Sequence, residues 1–145
     1  MIERTIRLRN GVEIPRIGLG TFKSSSEQVS DAVSFAIANG IRHIDTASIY
    51  KNQEAIGSAI RASGVQRSQV SSCQSSFEHG GLKSELESQV YSHAYICTRF
   101  QQVFITSKVS PYEQGHAKAK QACTDILEKL GLNYVDLVLV HWPGD

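Results

Sequence analysis

Four titratable side chains stand where apolar runs end and a strand would pass into a loop. Asp45 and Tyr50 lie in HIDTASIY, Lys108 in VFITSKV and His141 in VDLVLVHW. Strands bury such runs, so a titratable group at their ends calls for a reason. In parallel α/β folds, the carboxyl ends of strands are where chemistry is placed. Alternation along each run puts His43 with Asp45, Thr106 with Lys108, and Leu139 with His141 on a shared face. If those faces look into a barrel, Asp45, Lys108 and His141 crowd its mouth, with Tyr50 following on a loop. An aspartate beside a lysine holds it charged and oriented. An ammonium near a phenol favours the phenolate and lowers a pKa that is ordinarily about 10. A histidine there can hydrogen-bond a substrate oxygen. Together these groups make a proton donor for a developing alkoxide, and the chemistry implied is carbonyl reduction with hydride from a cofactor.

Taken singly, each residue has a plainer reading. Asp45 can cap the turn after its strand, Tyr50 can be a half-buried surface tyrosine, Lys108 a solvated strand end, and His141 a loop-packing residue. Lys108 also admits a Schiff-base role, since a lysine at a barrel strand end suits an aldolase. His43, within a strand, reads as a satisfied core histidine. His79, His93 and His116 have no partners at metal spacing, and no metal is assigned.

The elements that must position these groups follow from periodicity. Thr5–Leu8 and Val12–Ile14 alternate around Asn10-Gly11 and read as a hairpin. Ile17–Thr21 is a short strand whose glycines allow close backbone approach. Ser24–Ser26 with Glu27 opens a helix carrying Val29, Ala32, Val33, Ala36 and Ile37, and Asn39-Gly40 ends it. Strands are expected at Ile41–Ala47, Val103–Val109 and Tyr134–Trp142, and helices at Asn52–Ala62 and His116–Leu130. After the hairpin, strand and helix alternate strictly. That order, with near-continuous apolar strands, predicts an α/β fold with a parallel sheet and helices outside it.

Composition narrows the class. The chain has 145 residues, 41% hydrophobic and 20% charged, with a net charge of +1. No basic stripe points to nucleic acid, and no apolar run is long enough to span a membrane. The charged start, MIERTIRLRN, lacks the apolar stretch of a signal peptide. Cys73, Cys97 and Cys123 form neither a disulfide framework nor a metal motif, so a reducing, cytoplasmic setting is expected.

In this order, DTASIY, ITSK and LVLVHWPG resemble the aldo-keto reductases, as do GLGTF and GIRHIDTA. The resemblance covers residues 4–69 and 103–145. It implies a (β/α)8 TIM barrel closed at its base by an N-terminal β-hairpin, with only the first four βα strands present here. It further implies NADP(H) across the mouth and a small-molecule carbonyl substrate. In its terms Tyr50 is the general acid, Lys108 lowers the Tyr50 pKa, Asp45 pairs with Lys108, and His141 orients the carbonyl. Thr21, Phe22 and Asp45 fall at cofactor-binding positions. Phe22, His141 and Trp142 fall at substrate-binding positions.

Two departures stand out. Residues 70–102 occupy a place where a few residues would normally join a helix to the next strand. The stretch is Ser-rich, with no clean period and only 82–91 patterned for a short helix, and it is expected to be disordered. Removing it restores RSQ-VFITSK. Valine codons begin with GT and a glutamine codon can end in AG, so a translated intron from Val70 to Gln102 has the required ends. A lineage-specific insertion is the other reading. The second departure is that four barrel strands stand where the fold has eight. A half barrel leaves open edges and an exposed inner face. The chain alone is therefore expected to bind NADPH poorly, to turn over little and to self-associate, and a non-catalytic fragment that pairs with a partner is the rival reading. Transcript sequencing tests the intron reading: splicing that removes codons 70–102 is expected, and a genomic CAA codon at Gln102 overturns that junction.

Overall fold

The structure is a computed structural model and describes residues 4–65, 67 and 102–143. The segment expected over 70–102 lies outside the described residues, Gln102 apart. The chain opens with an antiparallel hairpin of β1 (Thr5–Arg7) and β2 (Glu13–Pro15), in which Ile6 faces Ile14. Its turn is wider than a two-residue loop. The Gly11 N–H donates to the Leu8 carbonyl at 2.9 Å, and the Leu8 N–H donates to the Val12 carbonyl at 2.7 Å. Gly11 supplies the positive φ of 83° that this closure requires.

Four strands then build one parallel sheet in the order β3 (Leu19–Gly20), β4 (His43–Asp45), β5 (Phe104–Val109) and β6 (Leu137–Val140). These are shorter than the apolar runs predict, because a parallel ladder lasts only where the neighbour keeps step. Single bonds carry the pairing a little further: Thr21 N–H to the Asp45 carbonyl at 3.1 Å, Thr46 N–H to Thr106 at 2.9 Å, and His141 N–H to Val109 at 2.9 Å. The connecting helices are α1 (Ser26–Ala38), α2 (Gln53–Ala62) and α3 (His116–Leu130). Helix α1 starts on a capping box, with Ser25 as the cap and Gln28 reaching back to it. The architecture is the expected one: a hairpin followed by the first four βα strands of a (β/α)8 barrel, here forming a partial, open sheet.

The core lies between the sheet and its helices. Ile44 and Ile105, from one face of β4 and β5, are fully buried among Val29, Val33, Ile37, Ile56, Ile60, Ile126 and Leu130. Burying each such side chain contributes about 1.5–3 kcal/mol. The opposite face carries His43, Asp45, Thr106 and Lys108. Strand β6 departs from the expectation of buried strands: Val138, Leu139 and Val140 are 40%, 41% and 65% exposed. They alternate between the two faces of the sheet, so both faces of β6 are open. No helix among the described residues is long and apolar enough to cross a membrane.

Helices α2 and α3 meet without space for a side chain at Gly57. A Cβ built there would lie 1.9 Å from the Leu130 carbonyl oxygen. The same end of α3 is capped by Arg61, whose Nη1 donates to the Leu130 carbonyl at 2.7 Å. Gly57→Ala is therefore expected to destabilise the fold by about 1–3 kcal/mol. Gly20→Ala, where a Cβ meets nothing within 4 Å, is expected to leave stability nearly unchanged. Urea midpoints of the two variants check the contrast.

Candidate active site

The carboxyl ends of all four parallel strands converge on one mouth. At the end of β3, Thr21 is buried and its hydroxyl donates to the Asp45 carbonyl at 2.9 Å, tying that loop to β4. Phe22 follows at 61% exposure, its ring 5.0 Å from that of Tyr50. Asp45 ends β4. Across the ladder it pairs with Thr106, so Lys108 stands two residues further along β5 on the same face. The Lys108 ammonium donates to Asp45 Oδ1 and, at 3.1 Å, to the Thr46 carbonyl. The lysine side chain is the better buried partner, and about a third of the Asp45 side chain remains exposed.

Tyr50 ends a single 3₁₀ turn, Ser48–Tyr50, that rises from β4. Its ring lies under the Lys108 ammonium, with Nζ 5.4 Å from the centroid. The next residue, Lys51, is left-handed at φ 57°. Tyr50 Oη lies 3.4 Å from His141 Nε2, and the two rings meet edge to face with centroids 5.6 Å apart. Trp142 flanks His141 at 4.4 Å and is half-exposed. Tyr50, Lys108, Asp45 and His141 thus form one contiguous cluster, walled by Phe22 and Trp142.

The state of His141 follows from its surroundings. Burial, and then the positive charge of Lys108, lower its pKa against the opposing pull of Asp45, so the ring is neutral at neutral pH. Nδ1 is buried and has no hydrogen-bond partner among the described residues. Nε2 is the ring nitrogen that faces Tyr50 and the mouth.

Below the mouth, His43 takes a structural role. Its Nε2 lies 2.9 Å from Thr106 Oγ1, its ring packs edge-on against Phe104, and Gly18 leaves room for it. Several polar contacts escaped the sequence reading. Buried Asn52 donates to the carbonyls of Thr21 at 2.9 Å and Ser24 at 3.1 Å, so it ties the β3 loop to the Tyr50 loop. Gln53 donates to Ser107 Oγ at 3.1 Å. The only sequence signal was two amides opening a helix. Nothing in the pattern shows that their partners lie on other strands.

The chain matches a model of the Aldo/keto reductase family over residues 16–74. It is 38% identical to glyoxal reductase of Bacillus subtilis (strain 168) over 144 residues, which is 99% of this chain and 40% of that protein. It is 35% identical to morphine 6-dehydrogenase of Pseudomonas putida, over 95% of this chain and 36% of that one. The fold matches an aldo/keto reductase from Brucella melitensis with a TM-score of 0.70 and 34% identity, covering 96% of this chain and 40% of that one. A Bombyx mori aldo-keto reductase solved in complex with NADP matches with a TM-score of 0.65 and 29% identity, covering 96% and 38%. By sequence and by fold, the chain resembles the aldo-keto reductase family. It spans about two-fifths of the length of the curated relatives it matches.

His43 and His141 contribute to the acid side of the stability profile. Burial is the main cause that holds both below the ordinary value. The unfolded chain therefore binds more protons just below about pH 6.5, where a free histidine titrates. The histidine contribution is complete above that pH and is lost as the pH falls through it. Urea midpoints measured from pH 8 to 5 should fall, and His43→Gln, which keeps a hydrogen-bonding group toward Thr106, should flatten part of that fall.

Proposed function

We propose that this sequence supplies the acid–base mouth of an NAD(P)H-dependent reductase that converts an aldehyde or ketone to an alcohol. The observation that carries the reading is the single cluster of Tyr50, Lys108, Asp45 and His141 at the ends of parallel strands. Neutral His141 donates from Nε2 to the substrate carbonyl oxygen and orients it. Tyr50, beside it, donates from Oη and gives its proton to the oxygen as negative charge develops there. Lys108 offsets the charge left on the phenolate, and Asp45 holds the lysine in place. Phe22 and Trp142 flank the carbonyl with apolar surface and exclude water.

The residues present fit the nicotinamide end of NADP(H). Asp45 commits Oδ1 to Lys108 and keeps about a third of its side chain exposed, while Phe22 offers an open ring and Thr21 fixes the loop beneath. When bound, the cofactor supplies the hydride. The described residues supply four of the eight strands of a (β/α)8 barrel.

A second reading is supported by β6. With both of its faces open, the chain can act as a non-catalytic half barrel that self-associates or binds a partner. A discrete dimer in light scattering, with no change in NADPH fluorescence, favours it.

The test of the first reading is NADPH oxidation followed by absorbance with glyoxal or another small aldehyde. Slow turnover is expected, and Tyr50→Phe is expected to lower it about 10²–10⁴-fold, the usual contribution of a positioned acid. Turnover that persists in Tyr50→Phe would remove Tyr50 from the mechanism.

A further inference from the structure

Glu113 lies outside the mouth yet reaches the turn that carries Tyr50. Strand β5 ends at Val109, and a second 3₁₀ turn, Pro111–Glu113, follows buried Ser110. The Glu113 carboxylate accepts through Oε2 from the Ser110 N–H at 2.8 Å and from the Ser48 hydroxyl at 2.6 Å. Burial works against its charge, but the hydrogen bonds from Ser48 and Ser110 outweigh burial and hold its carboxyl below the ordinary value. The bond to Ser48 is thus charge-assisted, the stronger kind.

Ser48 opens the turn that Tyr50 ends. Within that turn, the Tyr50 N–H donates to the Ala47 carbonyl at 3.1 Å. A lone 3₁₀ turn is weak by itself, and this one runs directly into left-handed Lys51. It is steadied from both flanks. Asn52 ties it to the loop after β3, and Glu113 ties it to the loop after β5, the strand that carries Lys108.

We infer that the Ser48–Glu113 hydrogen bond is a clasp that registers Tyr50 against Lys108 and His141, which makes Glu113 a positioning residue. The inference rests on the reading of Tyr50 as the proton donor. Displacements of about 1 Å at a reacting group cost on the order of 10²-fold in rate, so a clasp on this turn bears on turnover more than on substrate affinity.

The experiment uses the full chain with NMR, the Tyr50 signals being assigned through Tyr50→Phe. Ser48→Ala removes the clasp and leaves the Ser110 contact intact. Glu113→Ala removes both, and Glu113→Gln keeps an acceptor oxygen. Ser48→Ala and Glu113→Ala are each expected to weaken the Tyr50–His141 ring cross-peak and to speed exchange of the Tyr50 amide. Glu113→Gln is expected to restore both signals. In NADPH-dependent aldehyde reduction, Ser48→Ala is expected to lower kcat about tenfold with little change in KM. An unmoved Tyr50 in Ser48→Ala overturns the clasp even if Glu113→Ala perturbs the site, because Glu113 then only caps its own turn. If the Tyr50 signals respond as expected but the wild-type chain reduces no aldehyde, the clasp stands and the reductase reading falls.

Discussion

The register between β4 and β5 is the constraint on which the rest of the molecule depends. Pairing Ile44 with Ile105 places both in the helix-covered core and turns Asp45 and Thr106 to the other face. Lys108 then has one place to put its ammonium, across the ladder against Asp45. A slip of one residue would send every side chain of a strand to the wrong face. Magnitudes decide which interaction sets the register. Burying the two isoleucines contributes a few kcal/mol, whereas a partly exposed ion pair is worth roughly 0–1 kcal/mol. The apolar contacts choose the register, and the ion pair at the mouth is its consequence.

The same logic separates what could be read in the sequence from what could not. Asp45, Lys108 and His141 were legible because strand alternation is local: three residues of apolar pattern are enough to assign a face. Tyr50 lies beyond its strand, and no period points to it, so its place came from the DTASIY motif. Helix ends were legible where chemistry marks them, as at Ser25 and at Asn39-Gly40, where Gly40 has a φ of 86°. The strands came out shorter than their apolar runs because ladder length belongs to a pair of strands and not to one. Asn52, Gln53 and Glu113 were missed for a further reason. Their partners are Thr21, Ser107 and Ser48, tens of residues away, and a polar side chain at a helix or turn start usually serves its own backbone.

Around the mouth, polar groups are used in a graded way. Thr21 and Asn52 satisfy backbone carbonyls and fix loops, Lys108 and Asp45 fix each other, and Tyr50 and His141 face one another across 3.4 Å. The aromatic rings of Phe22, Tyr50, His141 and Trp142 follow one another across the opening. Bonds that orient groups lie deepest, and the groups assigned to the substrate lie where they can be reached.

Burial is not uniform across the described sheet. Strand β5 is covered on both faces, while β6 is open on both. Local opening starts where few apolar contacts resist it. His141 hangs from the end of β6, whereas Asp45 and Lys108 hang from β4 and β5. Fraying of β6 would move the His141 imidazole and leave the aspartate–lysine pair assembled. The cluster is thus held by strands that differ in burial, with Asp45 and Tyr50 on the β4 side and His141 at the end of β6.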